Sequence, residues 1–221
     1  MMISIIIPTK NEPRINNVIE NIHKKLKSKH EIIVVDESAV APEIKKAKLI
    51  RQRSHGLGNA IKEGLSYTKG DIIVIMDGDE QHRPEDIQKL ITALSSSDIA
   101  IGSRFIAGGK TLDVTHRKFI SAATRKIASF ILNLPLEDSM SGFAAVKRSV
   151  FKKIKLNPLG YKIVLEITYK ARKKGFVITE VPIIFLRRKE GESKVQVFSL
   201  SGISEVVRIF RLLFELRLNL R

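Results

Sequence analysis

The chain has 221 residues, of which 43% are hydrophobic and 28% are charged, and this composition excludes a mainly disordered protein and favours one globular domain. Its 39 lysines and arginines against 23 acidic residues give a net charge of +16, which favours an anionic partner: a nucleic acid, an anionic membrane surface or a phosphorylated substrate. Cysteine is absent, which excludes disulfides and cysteine nucleophiles, and we expect neither a signal peptide nor a membrane-spanning stretch.

Short apolar runs alternate with longer amphipathic segments in the first half of the chain. This alternation is typical of βα units around a mainly parallel sheet with helices on both faces. Strands are predicted at residues 3–8, 32–36, 72–77 and 99–103, and helices at residues 13–26, 55–67 and 84–94. The first half therefore predicts a doubly wound α/β fold.

The second half is less regular. It contains a glycine-rich loop (107–110), predicted helices at 117–132 and near 161–174, a predicted strand at 179–186, a charged loop (187–194) and a C-terminal amphipathic helix (199–221). The last helix carries Phe210, Leu213 and Phe214 on an apolar side and arginines on its polar side. Packing in the core and docking on a membrane or a membrane partner are both compatible with this pattern.

The third predicted strand is followed by a polar segment that contains Asp77, Asp79 and Gln81. Because side chains alternate in an extended chain, these three point to the same side, and their oxygen atoms suit Mg²⁺ or Mn²⁺. A calcium loop would need glycine and glutamate where His82 and Gln88 stand, so that alternative is excluded. Capping of the next helix by an acidic cluster is the alternative, and it accounts for Glu80 and can extend to Asp79, but it does not explain Asp77 at the strand end. The segment therefore predicts a metal site that also contacts a diphosphate.

Two glycine-containing segments match nucleotide-binding motifs only in part. Residues 56–60 lack the third glycine of a dinucleotide-binding fingerprint, because Ile61 occupies that position. Residues 109–111 end like a phosphate-binding loop, but Arg104 stands where the first glycine is required. The sequence therefore does not support a nucleotide hydrolase.

Polar residues follow the other predicted strands as well, at the edge where ligands bind in open parallel sheets. They are residues 8–12, Asp36, Glu37 and Arg104. The acids can bind a base or a ribose and the arginine can pair with phosphate, although turn formation and simple solvation are the alternatives. Their convergence on one edge favours a site for a phosphorylated ligand.

Several segments, in chain order, match a known set of motifs. They are residues 7–12 (Ile-Pro-Thr-Lys-Asn-Glu), 34–36 (Val-Val-Asp), 56–60 (Gly-Leu-Gly-Asn-Ala), 76–82 (Met-Asp-Gly-Asp-Glu-Gln-His), 102–104 (Gly-Ser-Arg) and 141–143 (Ser-Gly-Phe). On these residues the chain resembles glycosyltransferase family 2. Within it, residues 117–121, 160–163 and 188–194 are similar to those of dolichol-phosphate mannose synthases.

The resemblance implies a GT-A (Rossmann-like) fold over residues 1–194, followed by a helical appendage at 195–221. It implies metal-dependent transfer of a sugar, with inversion, from a nucleotide donor to dolichyl or another polyprenyl phosphate. GDP-mannose is the expected donor, UDP-glucose is the alternative, and Mg²⁺ or Mn²⁺ is the expected cofactor. We expect a peripheral enzyme at the cytoplasmic face of a membrane, with an anionic membrane surface and a small membrane protein as its possible partners.

The resemblance also implies roles for individual residues. Asp77, Asp79 and Gln81 hold the metal, and Pro8, Glu12, Val35 and Glu37 line the nucleotide. Arg104, Arg188 and Lys194 meet phosphates or the sugar, and Arg117 meets the acceptor phosphate. The candidate catalytic residues are Asp79, Arg104 and Arg117, and the candidate substrate-binding residues also include Asp36, Asp77, Gly78 and Lys162.

A nucleic-acid-binding module is the main alternative from another class, because of the net charge of +16. The chain has no tryptophan and three tyrosines, and it lacks the interleaving of basic and aromatic residues on which such modules stack bases. A non-catalytic membrane adaptor is a third interpretation, which the intact metal-binding segment disfavours. We therefore expect no nucleic-acid partner.

Overall fold

The computed structural model describes residues 1–112, 126–160, 162–187 and 200–218, with the backbone alone over 200–206. The strands are β1 (Ile3–Thr9), β2 (His30–Asp36), β3 (Lys48–Arg51), β4 (Ile72–Ile75), β5 (Ile99–Ser103), β6 (Lys110–Thr111), β7 (Ala144–Lys147), β8 (Ile178–Pro182) and β9 (Ile184–Phe185). The helices are α1 (Ile15–Lys25), α2 (Leu57–Leu65), α3 (Pro84–Ala93), α4 (helical over 126–132), α5 (Arg148–Phe151), α6 (Ile163–Lys173) and α7 (Leu200–Arg217).

The central sheet has seven strands in the order β3-β2-β1-β4-β7-β5-β8. Every pairing is parallel except those of β7, which is inserted antiparallel between β4 and β5. Strands β6 and β9 form a separate parallel pair. The predicted mainly parallel α/β fold is confirmed, whereas β3, β6 and β7 are strands that the sequence analysis did not predict.

Helices cover both faces of the sheet because the strands are apolar on both sides. Ile5 of β1 packs in a cluster with residues of α1 and α3, and its neighbour Ile6 packs in a second cluster with residues of α2 and α6. Each isoleucine that is fully buried in this way stabilises the fold by about 1.5–3 kcal/mol. Helix α1 contributes a stripe at three- and four-residue spacing: Ile15, Val18, Ile19 and Ile22.

Helix α7 presents two apolar sides. Its buried residues join a third cluster with parts of α4 and α6: Ile209, Leu212, Leu213 and Leu216. Over residues 207–217 its exposed apolar residues are Val207, Phe210 and Phe214, and exposed Leu218 follows the helix directly. Leu213, which the sequence analysis places on the docking side, is therefore on the core side, because a turn of 100° per residue groups it with Ile209 and Leu216. The predicted boundary at residue 195 lies outside the described residues.

In the part of the chain that the structure describes, no helix has both the length and the hydropathy that a bilayer crossing requires.

The strand register brings the polar strand ends together. Thr9 at the end of β1 pairs with Asp36 at the end of β2, and β4 runs alongside β1 so that residue 77 follows at the same edge. Because β7 is antiparallel, its start lies at this edge as well, and residues 141–143 therefore approach the end of β4. This edge contains most of the residues that the sequence analysis selected.

Candidate functional site

The loop at residues 77–82 continues directly from β4. Gly78 lies against β1 so closely that a Cβ there would be 3.1 Å from the methyl carbons of Ile7 and Thr9. The Asp79 carboxylate accepts a hydrogen bond of 3.2 Å from the backbone N–H of Gln81. Glu80 has a φ of 62° and pairs with Arg14 across 3.5 Å. The loop is therefore tied to the sheet at Gly78 and to the start of α1 at Glu80.

The side-chain oxygen atoms of this loop are of the kind that a hard divalent cation binds. Gln81 donates from Nε2 to the carbonyl of Leu186 at 3.1 Å, so the side-chain atom that it could offer to a cation is the amide oxygen. Gly142 leaves room beside Asp77, because a Cβ there would lie 3.2 Å from the Asp77 carboxylate. Within the described residues, no three His, Cys, Asp or Glu side chains form a ligand cluster. Two carboxylates and one amide oxygen would leave coordination positions for a diphosphate and water, as Mg²⁺ and Mn²⁺ require.

His82 closes the loop and was not selected from the sequence. Its Nδ1 accepts a long hydrogen bond of 3.4 Å from the backbone N–H of Asp77. The ring stacks on Phe143 at 4.8 Å and meets the edge of Phe185 at 5.1 Å. Burial, which disfavours the imidazolium, lowers the pKa of His82 to about 4, and the nearby charge of Asp79 only partly opposes this. The imidazole is therefore neutral at pH 7.

The carboxylate of Asp36, at the end of β2, accepts its hydrogen bonds from groups of the protein itself. Its carboxylate accepts hydrogen bonds from the hydroxyl of Thr9 at 3.0 Å, from the hydroxyl of Ser38 at 2.7 Å and from the backbone N–H of Ser38 at 3.1 Å. It also pairs with Arg51, which reaches the carbonyl of Ser38 as well. The Asp36 carboxylate thus shapes the turn after β2.

Glu37 follows in this turn and remains partly accessible. Its carboxylate contacts Nδ1 of His55 at 3.0 Å, accepts the backbone N–H of Gly56 at 3.4 Å and pairs with the ammonium of Lys10 at 3.4 Å. Burial alone would raise the pKa of Glu37, but the hydrogen bonds from His55 and Gly56 outweigh it and the pKa is lowered. Glu37 is therefore an anion with neighbours at the rim of the site.

The other residues expected to line the nucleotide differ in accessibility. Pro8 and Glu12 are half-buried at the same edge of the sheet. Val35 is completely buried in the cluster under α2, so its side chain belongs to the core and its main chain alone can reach a ligand.

Arg104, after β5, is held by a carboxylate that the sequence analysis did not select. Its Nε and Nη2 donate to Asp138 at 2.7 and 2.8 Å, and its backbone N–H donates to the same carboxylate at 3.0 Å. Glu180 of β8 in turn accepts the backbone N–H of Asp138 at 2.7 Å. The guanidinium carbon lies 5.2 Å from the centroids of Phe105 and Phe185. Arg104 is therefore fixed in a single position.

Two of the matched motifs meet at the start of α2. A Cβ on Gly58 would lie 2.8 Å from the carbonyl oxygen of Gly160, and the Gly58 N–H donates to that oxygen at 3.2 Å. Two residues further on, the ammonium of Lys162 donates to the carbonyl of Met140 at 3.0 Å. Arg117, Arg188 and Lys194 lie outside the described residues.

Comparison with known proteins agrees with this arrangement. The model of the family "Glycosyl transferase family 2" matches residues 4–155. The chain is 37% identical over 218 residues to a dolichol-phosphate mannosyltransferase of Pyrococcus furiosus, covering 89% of this chain and 60% of that protein. It is 32% identical over 211 residues to a polyprenol monophosphomannose synthase of Mycolicibacterium smegmatis, covering 86% of this chain and 80% of that protein.

The same fold occurs in a crystal structure of glucosyl-3-phosphoglycerate synthase from Mycobacterium tuberculosis in complex with Mn²⁺, UDP and phosphoglyceric acid. It superposes with a TM-score of 0.71 at 20% identity and covers 99% of this chain and 78% of that one. Together with the family match over more than half of the sequence, the GT-A fold and the strand-end motifs show that the chain belongs to glycosyltransferase family 2, in its dolichol-phosphate mannose synthase-like branch.

Proposed function

We propose that this protein transfers mannose from GDP-mannose to dolichyl or another polyprenyl phosphate, with inversion at the anomeric carbon. The observation that carries the proposal is the Asp77–Gln81 loop at the strand ends, in a chain whose relatives are named as mannosyltransferases of polyprenyl phosphates. In an open α/β sheet, ligands bind in the crevice at this edge.

Asp77, Asp79 and Gln81 would hold Mg²⁺ or Mn²⁺ against the donor diphosphate. When bound, such an ion neutralises the charge that develops on the leaving nucleoside diphosphate. Arg104, which is already fixed by Asp138, would add a positive charge without having to reorganise during the reaction. Gly78 supports this role because its lack of a side chain keeps the loop against β1.

The base and ribose of the donor would lie toward β2. Glu37 is an acceptor for N–H groups of the base, and Lys10 and His55 lie beside it. Pro8, Glu12 and the main chain of Val35 would complete the wall. Guanine offers adjacent N–H donors to one carboxylate, whereas uracil offers a single N–H, so Glu37 favours a GDP-sugar.

The acceptor needs no strong general base. A phosphate monoester has a second pKa near ~6, so at neutral pH an anionic oxygen can attack the anomeric carbon from the side opposite the leaving diphosphate. Because the acceptor needs no base to remove a proton, Asp138 can remain paired with Arg104. Arg117, Lys162, Arg188 and Lys194 are the proposed contacts of the acceptor phosphate and the sugar.

The acceptor also determines where the enzyme works. Each buried CH₂ of the lipid holds it in the bilayer by about 0.8 kcal/mol, so the crevice must come to the membrane surface. We therefore propose a peripheral position at the cytoplasmic face, with anionic lipids or a small membrane protein as partner. The exposed Phe210 and Phe214 of α7, next to Arg211 and Arg217, support this position.

A vesicle-binding assay tests the membrane position. Phe214→Ser should reduce binding to vesicles of phosphatidylglycerol and phosphatidylcholine, and added salt should weaken but not abolish the binding of the wild type. Val177→Ser is the matched control, because Val177 is an exposed apolar residue far from α7 in the sequence. Equal loss in both variants would contradict the proposal.

A donor panel tests the reaction. GDP-mannose and UDP-glucose are each incubated with polyprenyl phosphate and Mn²⁺, and lipid-extractable sugar is counted, with EDTA and omission of the lipid as controls. Transfer from GDP-mannose supports the proposal, and transfer from UDP-glucose alone would replace the donor. No transfer, together with salt-sensitive nucleic-acid binding that ignores Mn²⁺ and nucleotides, would favour the nucleic-acid-binding alternative.

A further inference from the structure

Three consecutive residues of one short segment contact helix α3, the rings beside Arg104 and the loop at 77–82. The backbone N–H of Ile184 donates to the Asp86 carboxylate at 3.3 Å. The ring of Phe185 lies between Arg104 and His82. Leu186 donates its N–H to the carbonyl of Gln81 at 2.8 Å and accepts the Gln81 side-chain amide at 3.1 Å. Residues 184–186 thus lie across the loop at 77–82, about 100 residues away along the chain.

The rings in this region form a continuous series. The guanidinium of Arg104 lies 5.2 Å from the Phe185 centroid, and Phe185 meets His82 edge-on at 5.1 Å. His82 stacks on Phe143, next to Gly142, at 4.8 Å. Cation–π and aromatic contacts of these kinds have preferred geometries, so a shift of one member displaces its neighbours.

The series ends on a backbone atom of the loop. His82 accepts the N–H of Asp77 at Nδ1, so its ring proton must be on Nε2. Phe185 is only half-buried and is in none of the three apolar clusters found among the described residues. Phe185 therefore contributes to the structure mainly through its contacts with Arg104 and His82, and less through the burial of apolar surface.

We infer that Phe185 and His82 are positioning residues: together they hold Arg104 and the backbone of Asp77 at a fixed separation, and so set the geometry in which the loop binds a metal–nucleotide complex. The inference rests on the proposed function for the identity of that ligand. It adds two residues that act through Arg104 and Asp77.

Substitutions can separate the two contributions of His82. His82→Phe keeps a ring between Phe143 and Phe185 but removes the acceptor for Asp77, whereas His82→Asn keeps an acceptor near the position of Nδ1 and removes the ring. Phe185→Leu removes the contact with Arg104. Phe151→Leu is the matched control, because Phe151 is also partly buried but packs in the cluster on the α2 and α6 side.

The readouts are the affinity of each variant for Mn²⁺ with GDP, measured by titration calorimetry, and its melting temperature. His82→Phe should melt close to the wild type yet bind Mn²⁺–GDP about tenfold more weakly, the loss expected when a partner of a metal ligand is removed. His82→Asn should lose more thermal stability and less affinity. Phe185→Leu should weaken binding severalfold, and Phe151→Leu should lower the melting temperature without weakening binding.

Wild-type affinity in both His82→Phe and Phe185→Leu, or equal losses in Phe185→Leu and Phe151→Leu, would overturn the inference and leave the proposed function intact. A wild type that binds no Mn²⁺–GDP would overturn the proposed function and this inference with it. In the free protein at pH 7, ¹⁵N NMR should find His82 protonated on Nε2, and protonation on Nδ1 would overturn the hydrogen bond to Asp77.

Discussion

Two of the acidic groups at the edge of the sheet, Asp36 and Asp77, use their carboxylates differently. Asp36, after β2, has a side chain with 0% exposure, and its hydrogen bonds come from Thr9, Ser38 and Arg51. Asp77, after β4, has a side chain that is 35% exposed and lies beside Gly142, where a Cβ would be 3.2 Å from its carboxylate. Both follow a buried strand, so position at a strand end does not separate an acid that builds the turn from one that can bind a ligand. Their exposure separates them, because the Asp36 carboxylate is fully buried whereas the Asp77 side chain is accessible to a ligand.

The largest effect should come from the loop after β4. Asp79→Asn should reduce sugar transfer by more than about 100-fold, because a principal site of electrostatic stabilisation is lost. Its melting temperature should stay near that of the wild type, since the side chain is partly exposed. Lipid-extractable sugar and thermal unfolding measure the two quantities. Full transfer in the variant, or in the wild type with EDTA, would contradict the metal site.

Asp138→Asn should affect both stability and activity. It leaves the mostly buried Arg104 without its charged partner, and breaking such a pair costs about 3–5 kcal/mol. The displaced guanidinium should also lower transfer per folded molecule by about tenfold or more. Urea unfolding and kinetics on the folded fraction test this. Unchanged kinetics would mean that Asp138 serves the fold alone.

Asp36→Asn should change mainly stability. The variant loses charge-assisted hydrogen bonds to Arg51 and Ser38, which should lower the free energy of unfolding by about 1–3 kcal/mol. The KM for the donor should change less than about threefold, because a change of that size corresponds to the loss of at most one weak contact with the donor. A large increase in KM with normal stability would place Asp36 among the ligand-binding acids and remove the contrast with Asp77.

The smallest effect should come from Glu37→Gln. Loss of one charge-assisted hydrogen bond to the base should raise the KM for GDP-mannose by about three- to tenfold and leave kcat nearly unchanged. Steady-state kinetics with GDP-mannose and UDP-glucose measure it. An equal change for both donors would show that Glu37 does not distinguish the bases.

The parallel core and the loop after β4 could be predicted because their signals are local. Apolar runs mark the buried strands, and the polar segment 77–82 directly follows one of them. The extended alternation predicted for this segment does not occur, because residues 78–80 bend and Glu80 has a φ of 62°, and the metal-binding role of Asp77, Asp79 and Gln81 stays a prediction. Strand β7 could not be predicted in this way, because four residues with two alanines have little strand propensity and pair only when β4 and β5 are both present.

The supporting contacts of the site were missed for a related reason. Arg104 and Asp138 are 34 residues apart, and Gln81 and Leu186 are 105 apart. No periodicity connects such pairs, so Asp138, His82 and Phe185 look like ordinary loop or strand residues in the sequence. The signal that could have drawn attention to Asp138 is a carboxylate three residues before the matched Ser-Gly-Phe motif.

The antiparallel strand β7 also has a consequence for synthesis of the protein. Strand β4 ends at Ile75, and β7, which pairs with it on one side, ends at Lys147, about 70 residues later. At roughly 5–20 residues per second, the ribosome needs about 4–14 s to complete β7 after β4 has formed. During this interval the edge of β4, and that of β5 once residues 99–103 have been made, lack their β7 partner, and unpaired edges are templates for association with other chains. Slower translation of residues 76–147 should therefore increase co-translational aggregation or dependence on chaperones.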